Sequence, residues 1–314
     1  MVRAPERVLS EPPPTELRSP RPQTRARTPD ADGFIDRGGV PVFFEVFGSG
    51  EPTILLLPTW SIGHSRIWKA QIPDLARRHR VITFDPRGNG RSGRPSTADA
   101  YAEAEFARDA LEVMAATGTE RAVVVSLSKG AQRALILASD HPERVLGAVF
   151  IAPSLPFDRP RGTPRPLAEF LERRDSYEGW DTYNAEYWRT DYRAFLDFFF
   201  GRCFTEPHST KPTEDCVGWA TETDPETLIL STVANGLLDR EDVLDRAARV
   251  RCPTLVIHGR DDDVVPFAFG EELARATKGR LLAIDGGGHI PNARDPVKVN
   301  LAIREFVRDL GWPR

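Results

Sequence analysis

The chain is poor in the residues and runs that would place it in several protein classes. It has only three cysteines, Cys203, Cys216 and Cys252, an odd number without metal-ligand spacing. Neither a disulfide framework nor a cysteine-bound metal is expected, and the thiols read as free and reduced in a cytoplasmic protein. No apolar run approaches the roughly 20 residues that span a bilayer, so a membrane partner is not expected. No dense basic block is present, and a formal net charge of -4 argues against nucleic acid as the main partner. The N-terminus lacks the apolar stretch of a secretory signal. Residues 1–30 instead carry seven prolines and six arginines, the composition of a disordered or loosely attached extension. No internal repeat is visible. What these absences leave is a globular chain of 314 residues, long enough to bury a sizeable core.

From residue 33 onward the pattern alternates between strand and helix. Strands are expected over residues 40–47, 53–57, 81–84, 122–127, 148–151, 254–258 and 281–284. Several are continuous apolar runs, as parallel strands buried on both faces require. Helical periodicity lies between them, over 66–79, 102–117, 131–141, 267–276 and 296–310. This order predicts an α/β fold, a mostly parallel central sheet with helices on both faces. The core should comprise residues 31–153 and 251–314. Ligand sites in such sheets lie at the carboxyl ends of the strands.

The alternation stops between residues 154 and 250. That segment holds 14 of the chain's 28 aromatic residues, after a linker rich in proline and arginine over 156–166. Its place between two core strands makes it a helical insertion on the site side of the sheet, and a lid is the functional reading. Residues 183–200 hold eight aromatics. Trp188, Tyr192, Phe199 and Phe200 are the candidates to contact a small-molecule substrate through large apolar faces.

Chemistry is most legible at Val123-Val124-Val125-Ser126-Leu127-Ser128-Lys129-Gly130-Ala131. A β-branched run breaks into small residues and a helix-compatible segment follows, the form of a nucleophile elbow with Ser128 at the apex. Gly130 and the small Ser126 allow strand and helix to approach. Two later segments supply partners for the hydroxyl. Gly259-Arg260-Asp261-Asp262-Asp263 puts carboxylates at a strand end, three adjacent aspartates among which position alone does not choose. Gly286-Gly287-Gly288-His289-Ile290-Pro291 places an imidazole after a glycine run. The order Ser, Asp, His suits a serine, acid and base set at one sheet edge.

Together with Asp85-Pro86-Arg87-Gly88-Asn89-Gly90-Arg91-Ser92, these motifs resemble those of the α/β-hydrolase superfamily, over roughly residues 34–314 apart from the insertion. The resemblance implies Ser128 as nucleophile, His289 as base and Asp262 as orienting acid, with Arg87 and its glycines tying the turn. It implies no cofactor and no metal. A serine in place of aspartate argues against the haloalkane dehalogenase and epoxide hydrolase branches, whose chemistry needs a carboxylate nucleophile. By analogy Ile290, beside the base, contacts substrate. Backbone N–H groups of Lys129 and of Trp60, in the loop after the third strand, are the expected oxyanion donors.

That loop reads Leu57-Pro58-Thr59-Trp60 where relatives commonly carry His-Gly. The charged side chain of Lys129 reads as solvated, the alternative being a preference for an anionic substrate. His64 and Ser65 read as a helix start, the alternative being a place in the pocket lining. The expected activity is hydrolysis of a carboxylic ester or thioester of a bulky apolar small molecule through an acyl-Ser128 intermediate. The alternatives are acyl transfer to an acceptor other than water, and a slow-turnover, receptor-like protein that retains the triad.

Overall fold

A computed structural model describes residues 27–157, 167–234, 236–237 and 239–311. Most of the expected N-terminal extension, and residues 158–166 of the linker, lie outside the described residues. Eight strands form one sheet: β1 (Ala31–Asp36), β2 (Pro41–Phe47), β3 (Ile54–Leu56), β4 (Val81–Phe84), β5 (Ala122–Leu127), β6 (Val145–Ile151), β7 (Thr254–Gly259) and β8 (Arg280–Ile284). Their spatial order is β1-β2-β4-β3-β5-β6-β7-β8. β2 runs antiparallel to both β1 and β4, and every other pairing is parallel. β3, β4, β5 and β7 are buried at every position, so helices and loops cover both faces, as their unbroken apolar runs require.

The chain passes from β3 to β4 on one side and then to β5 on the other. This switch opens a crevice at the carboxyl ends of β3 and β5, where α/β sheets bind ligands. The helix Gly130–Asp140 follows β5 directly and presents Ala131, Ala134, Leu135 and Ala138 to the core.

Two local differences from the expected elements have physical causes. β1 has the sequence Ala-Asp-Gly-Phe-Ile-Asp, too polar to read as a buried strand; it is an edge strand, exposed or half-exposed along its length and paired only to β2. The helix expected over 66–79 is instead a short 3-10 turn, Ser65–Trp68, and a short α-helix, Ile72–Leu75. Pro73 has no N–H to continue a helix from 66, but fits the first turn of a new one.

The segment between β6 and β7 forms the helices Leu167–Leu171, Ala185–Thr190, Tyr192–Cys203, Thr210–Ala220, Pro225–Val233 and Arg240–Arg249. Four begin at an Asn or Asp whose side chain accepts backbone N–H groups of the first turn: Asn184, Asp191, Asp224 and Asp239. The last helix packs on Gly130–Asp140 and on Phe267–Ala276, flanking the sheet rather than the crevice. No helix among the described residues is long and apolar enough to cross a membrane.

Candidate active site

Ser128 ends β5 with φ 52, a left-handed conformation that a non-glycine residue adopts at a cost of about 1–3 kcal/mol. The turn is held from both sides. The Ser128 N–H donates to the Ile151 carbonyl at 2.9 Å, and its own carbonyl accepts from Ala131 and Ser154. A Cβ on Gly130 would lie 2.7 Å from the Pro58 carbonyl oxygen, so only glycine allows the loop after β3 to pass here. Ser126 is fully buried and its hydroxyl donates to the Val149 carbonyl at 3.1 Å, away from the crevice.

The Ser128 hydroxyl is 2.9 Å from Nε2 of His289, and His289 Nδ1 is 2.7 Å from Oδ2 of Asp262. Of the three adjacent aspartates, Asp262 alone reaches this imidazole among the described residues. Asp261 donates its N–H to the Gly287 carbonyl, and Asp263 pairs with Arg202. The glycine run ahead of His289 has distinct causes. Gly286 has φ +69, whereas a Cβ on Gly288 would stand 2.7 Å from the Cys203 carbonyl oxygen. The end of the Tyr192–Cys203 helix is seated on this loop. The Cys203 carbonyl accepts the His289 N–H at 2.8 Å, and Glu206 Oε1 accepts the Gly288 N–H at 2.8 Å.

Asp262 collects four donors. Oδ1 accepts the N–H groups of Val264 and Val265, both at 2.8 Å, and Oδ2 accepts from His289 and from His258 Nε2 at 2.9 Å. Burial opposes the carboxylate charge, but the two imidazoles outweigh it and hold the Asp262 carboxyl well below the usual carboxylate range. His258, at the end of β7 and fully buried, is a residue that sequence reasoning missed. Its signal was an imidazole four residues before Asp262 in an otherwise apolar strand. Donation to the carboxylate puts its proton on Nε2. Nδ1 then has no partner among the described residues and faces Gly270, where a Cβ would lie 2.5 Å away.

The loop carrying Trp60 is fastened by its carbonyls. Arg133 Nη1 donates to Pro58 at 2.9 Å and to Thr59 at 2.6 Å, and Trp68 Nε1 donates to Leu57 at 3.0 Å. The backbone N–H groups of Trp60 and Lys129 have no backbone acceptor among the described residues, which leaves both free to serve a bound anion. Pro58 therefore serves as an acceptor strut, and its missing N–H is not needed. Arg87 points away from the crevice, gripping Asp109 at 2.6 and 2.8 Å and the Ala100 carbonyl. His64 caps the following 3-10 turn by accepting the Arg66 N–H.

Lys129 departs from its expected solvation. Its side chain is largely buried, with Nζ 3.3 Å from Glu103 Oε1 and 2.9 Å from the Ser231 carbonyl. Burial lowers its pKa, with Glu103 opposing that shift.

Two cavities flank Ser128. An inner one of about 30 Å³ is apolar, walled by Phe199, Phe200, Cys203, Trp219 and Ile290 beside His289. An outer one of about 190 Å³ is bounded by Trp60, Lys129, Gln132, Tyr183 and Phe199. Of the residues expected to contact substrate, Phe199, Phe200 and Ile290 line these cavities. Trp188 and Tyr192 do not, and the expectation for them is corrected. Trp188 is fully buried, its ring centroid 4.5 Å from that of Phe195 and 4.8 Å from that of Phe170, and its Nε1 donates to the Thr182 carbonyl. The Tyr192 hydroxyl is spent on the Ala220 carbonyl. Short helices of an insertion bury little unless their rings pack on one another first. Trp60 contributes an indole as well as its backbone, its Nε1 donating to Ser231 Oγ at 3.1 Å.

Residues 52–296 match the family model described as the alpha/beta hydrolase fold. A Variovorax paradoxus protein, RutD, whose name proposes a carbamate hydrolase, is 29% identical over 290 residues, covering 87% of this chain and 98% of its own. The solved esterase EaEST of Exiguobacterium antarcticum superposes with TM-score 0.72 at 22% identity, covering 88% of this chain and 98% of its own. The enol-lactonase of Burkholderia xenovorans LB400 does so with TM-score 0.73 at 22% identity, covering 88% and 100%.

Proposed function

Because the chain belongs to the alpha/beta hydrolase fold family, we propose that it cleaves carboxylic esters or thioesters through an acyl-enzyme on Ser128. One observation carries this reading: the continuous path from Ser128 Oγ through both nitrogens of His289 to Asp262, at 2.9 and 2.7 Å. His289 takes the hydroxyl proton as Oγ bonds to the substrate carbonyl carbon, and the N–H groups of Trp60 and Lys129 hold the oxyanion. The C–O or C–S bond to the leaving group breaks as His289 returns the proton to it. Water, deprotonated by the same imidazole, then releases the carboxylic acid and restores Ser128. Asp262 keeps Nδ1 protonated and stabilises the imidazolium. Known relatives named for ester, lactone and carbamate substrates share a carbonyl bound to a heteroatom leaving group, which this sequence of steps requires.

The cavity volumes favour smaller substrates than the aromatic content of the insertion suggests, since about 30 and 190 Å³ fall below typical ligand sites of roughly 300–1,000 Å³. The insertion acts as a lid, lending Phe199 and Phe200 to the site. A fluorophosphonate probe tests the reading when followed by turnover of p-nitrophenyl acetate and butyrate. Covalent labelling with rapid turnover supports hydrolysis. Labelling with almost no turnover would replace it with acyl transfer or slow reception.

A further inference from the structure

Beside the nucleophile, two cations share one carboxylate. Glu103 is held by Arg133 at 2.7 and 3.5 Å, and Lys129 Nζ lies 3.3 Å from the same group. Glu103 and Arg133 are each 1% exposed. Arg133 cannot move to relieve the imbalance, because it is stacked 3.6 Å over Phe106 and its Nη1 serves two loop carbonyls. With Lys129 protonated, the cluster carries one positive charge beyond its single carboxylate, on a side chain 19% exposed toward the cavity, and excess charge of this kind is costly unless paired. The ammonium has three N–H donors. Ser231 and Glu103 take two, and no acceptor for the third is present among the described residues. Lys129 also lines the outer cavity, where the polar side chains beside it are already engaged: Thr232 Oγ1 donates to the Leu228 carbonyl and Gln132 Oε1 accepts the Leu237 N–H, so the ammonium is the charged group that faces this cavity among the described residues.

We propose that the outer cavity is a carboxylate subsite, and that the substrates are small esters bearing a carboxylate on the side of the scissile bond that faces Lys129. This deepens the ester-hydrolase reading and rests on it for the identity of the scissile bond. A bound carboxylate completes the charge balance of the cluster and gives the third N–H an acceptor, a charge-assisted bond in a low-dielectric site. Electrostatic complementarity of this kind selects among substrates of equal size.

Two pairs that set a carboxylate against an isopropyl group of the same shape test it. Mono-p-nitrophenyl glutarate against p-nitrophenyl 5-methylhexanoate puts the charge on the acyl side. 4-Acetoxybenzoate against 4-isopropylphenyl acetate puts it on the alcohol side. The wild type is expected to favour the anionic member of one pair by about tenfold or more in kcat/KM. Lys129→Met should abolish that preference and Lys129→Arg should keep part of it. Lys129→Met leaves Glu103 and Arg133 as a balanced pair, so the variant is expected to fold; if it does not, the wild-type preference decides. Calorimetric binding of the two anionic esters to Ser128→Ala, with and without Lys129→Met, provides a readout independent of turnover. A tenfold loss confined to one anionic ester supports the subsite even if no ester is hydrolysed, in which case the hydrolase reading alone fails. Turnover of both pairs with no preference for charge, or a preference untouched by Lys129→Met, overturns the subsite and leaves the hydrolase reading standing.

Discussion

The carbonyl of Cys203 accepts the backbone N–H of His289 at 2.8 Å, so the helical insertion is bonded to the loop that presents the imidazole. The placement of the imidazole thus depends on the helical segment between β6 and β7 as well as on the sheet. Gly288→Ala would place a methyl 2.7 Å from that carbonyl oxygen. The substitution should cost about 1–3 kcal/mol of stability through overpacking and depress kcat more than it raises KM. Thermal unfolding and steady-state kinetics on a short ester check both.

Ser128 and Ser126 are separated by two positions and opposite environments. Ser128→Ala should abolish fluorophosphonate labelling. Ser126→Gly removes only a hydroxyl that bonds the Val149 carbonyl and should leave labelling largely intact. Labelling lost only in the Ser126 variant would reassign the nucleophile.

Asp262→Asn should reduce turnover on the order of 10⁴-fold, because the wrong imidazole tautomer is held. Asp261→Asn and Asp263→Asn should be far milder. The same carboxyl makes a stability prediction. Folding lowers its pKa below the unfolded value of about 3.9, so its contribution is complete above that pH and is lost as pH falls toward the folded value. The stability gap between wild type and Asp262→Asn should accordingly be widest near neutrality and narrow below about pH 4. Denaturant unfolding at several pH values measures it.

Trp188 and Phe199 separate packing among the helices between β6 and β7 from lining of the two cavities. Trp188→Ala should cost about 3–5 kcal/mol of stability while leaving the order of preference among acyl chain lengths unchanged. Phe199 walls both cavities, so Phe199→Ala should shift the preference toward longer chains, by up to about 0.8 kcal/mol per methylene newly buried. A p-nitrophenyl ester series from acetate to octanoate distinguishes the two.

Much of this arrangement was readable from local chemistry. Val123 to Ser128 announced a buried strand and a turn, and the helix Phe267–Ala276 ran where its periodicity put it. What escaped was set by contacts between distant segments. Ala31–Asp36 has no apolar alternation, because an edge strand is stabilised by its partner's backbone. The burial of Lys129 depends on Glu103 and on Ser231, a residue 102 positions away, and no local pattern carries that. His258 looked like one polar interruption in a strand until the fold set it against Asp262. Aromatic density marked the segment between β6 and β7 but could not say which rings face inward, since Trp188 and Phe199 differ only in which neighbours the short helices bring.

The two cavities beside Ser128 differ about sixfold in volume and also in polarity. In the proposed reaction a carbonyl carbon lies between them with its oxygen bound by two N–H groups, and it can then offer only one face to the hydroxyl. A substrate with a stereocentre next to that carbon therefore meets a site with a handedness of its own: one enantiomer directs its smaller substituent inward, and its mirror image must force the larger one there. Racemic 2-substituted esters should be resolved rather than consumed evenly, and the enantiomeric excess of the remaining ester would report the asymmetry of the chamber directly.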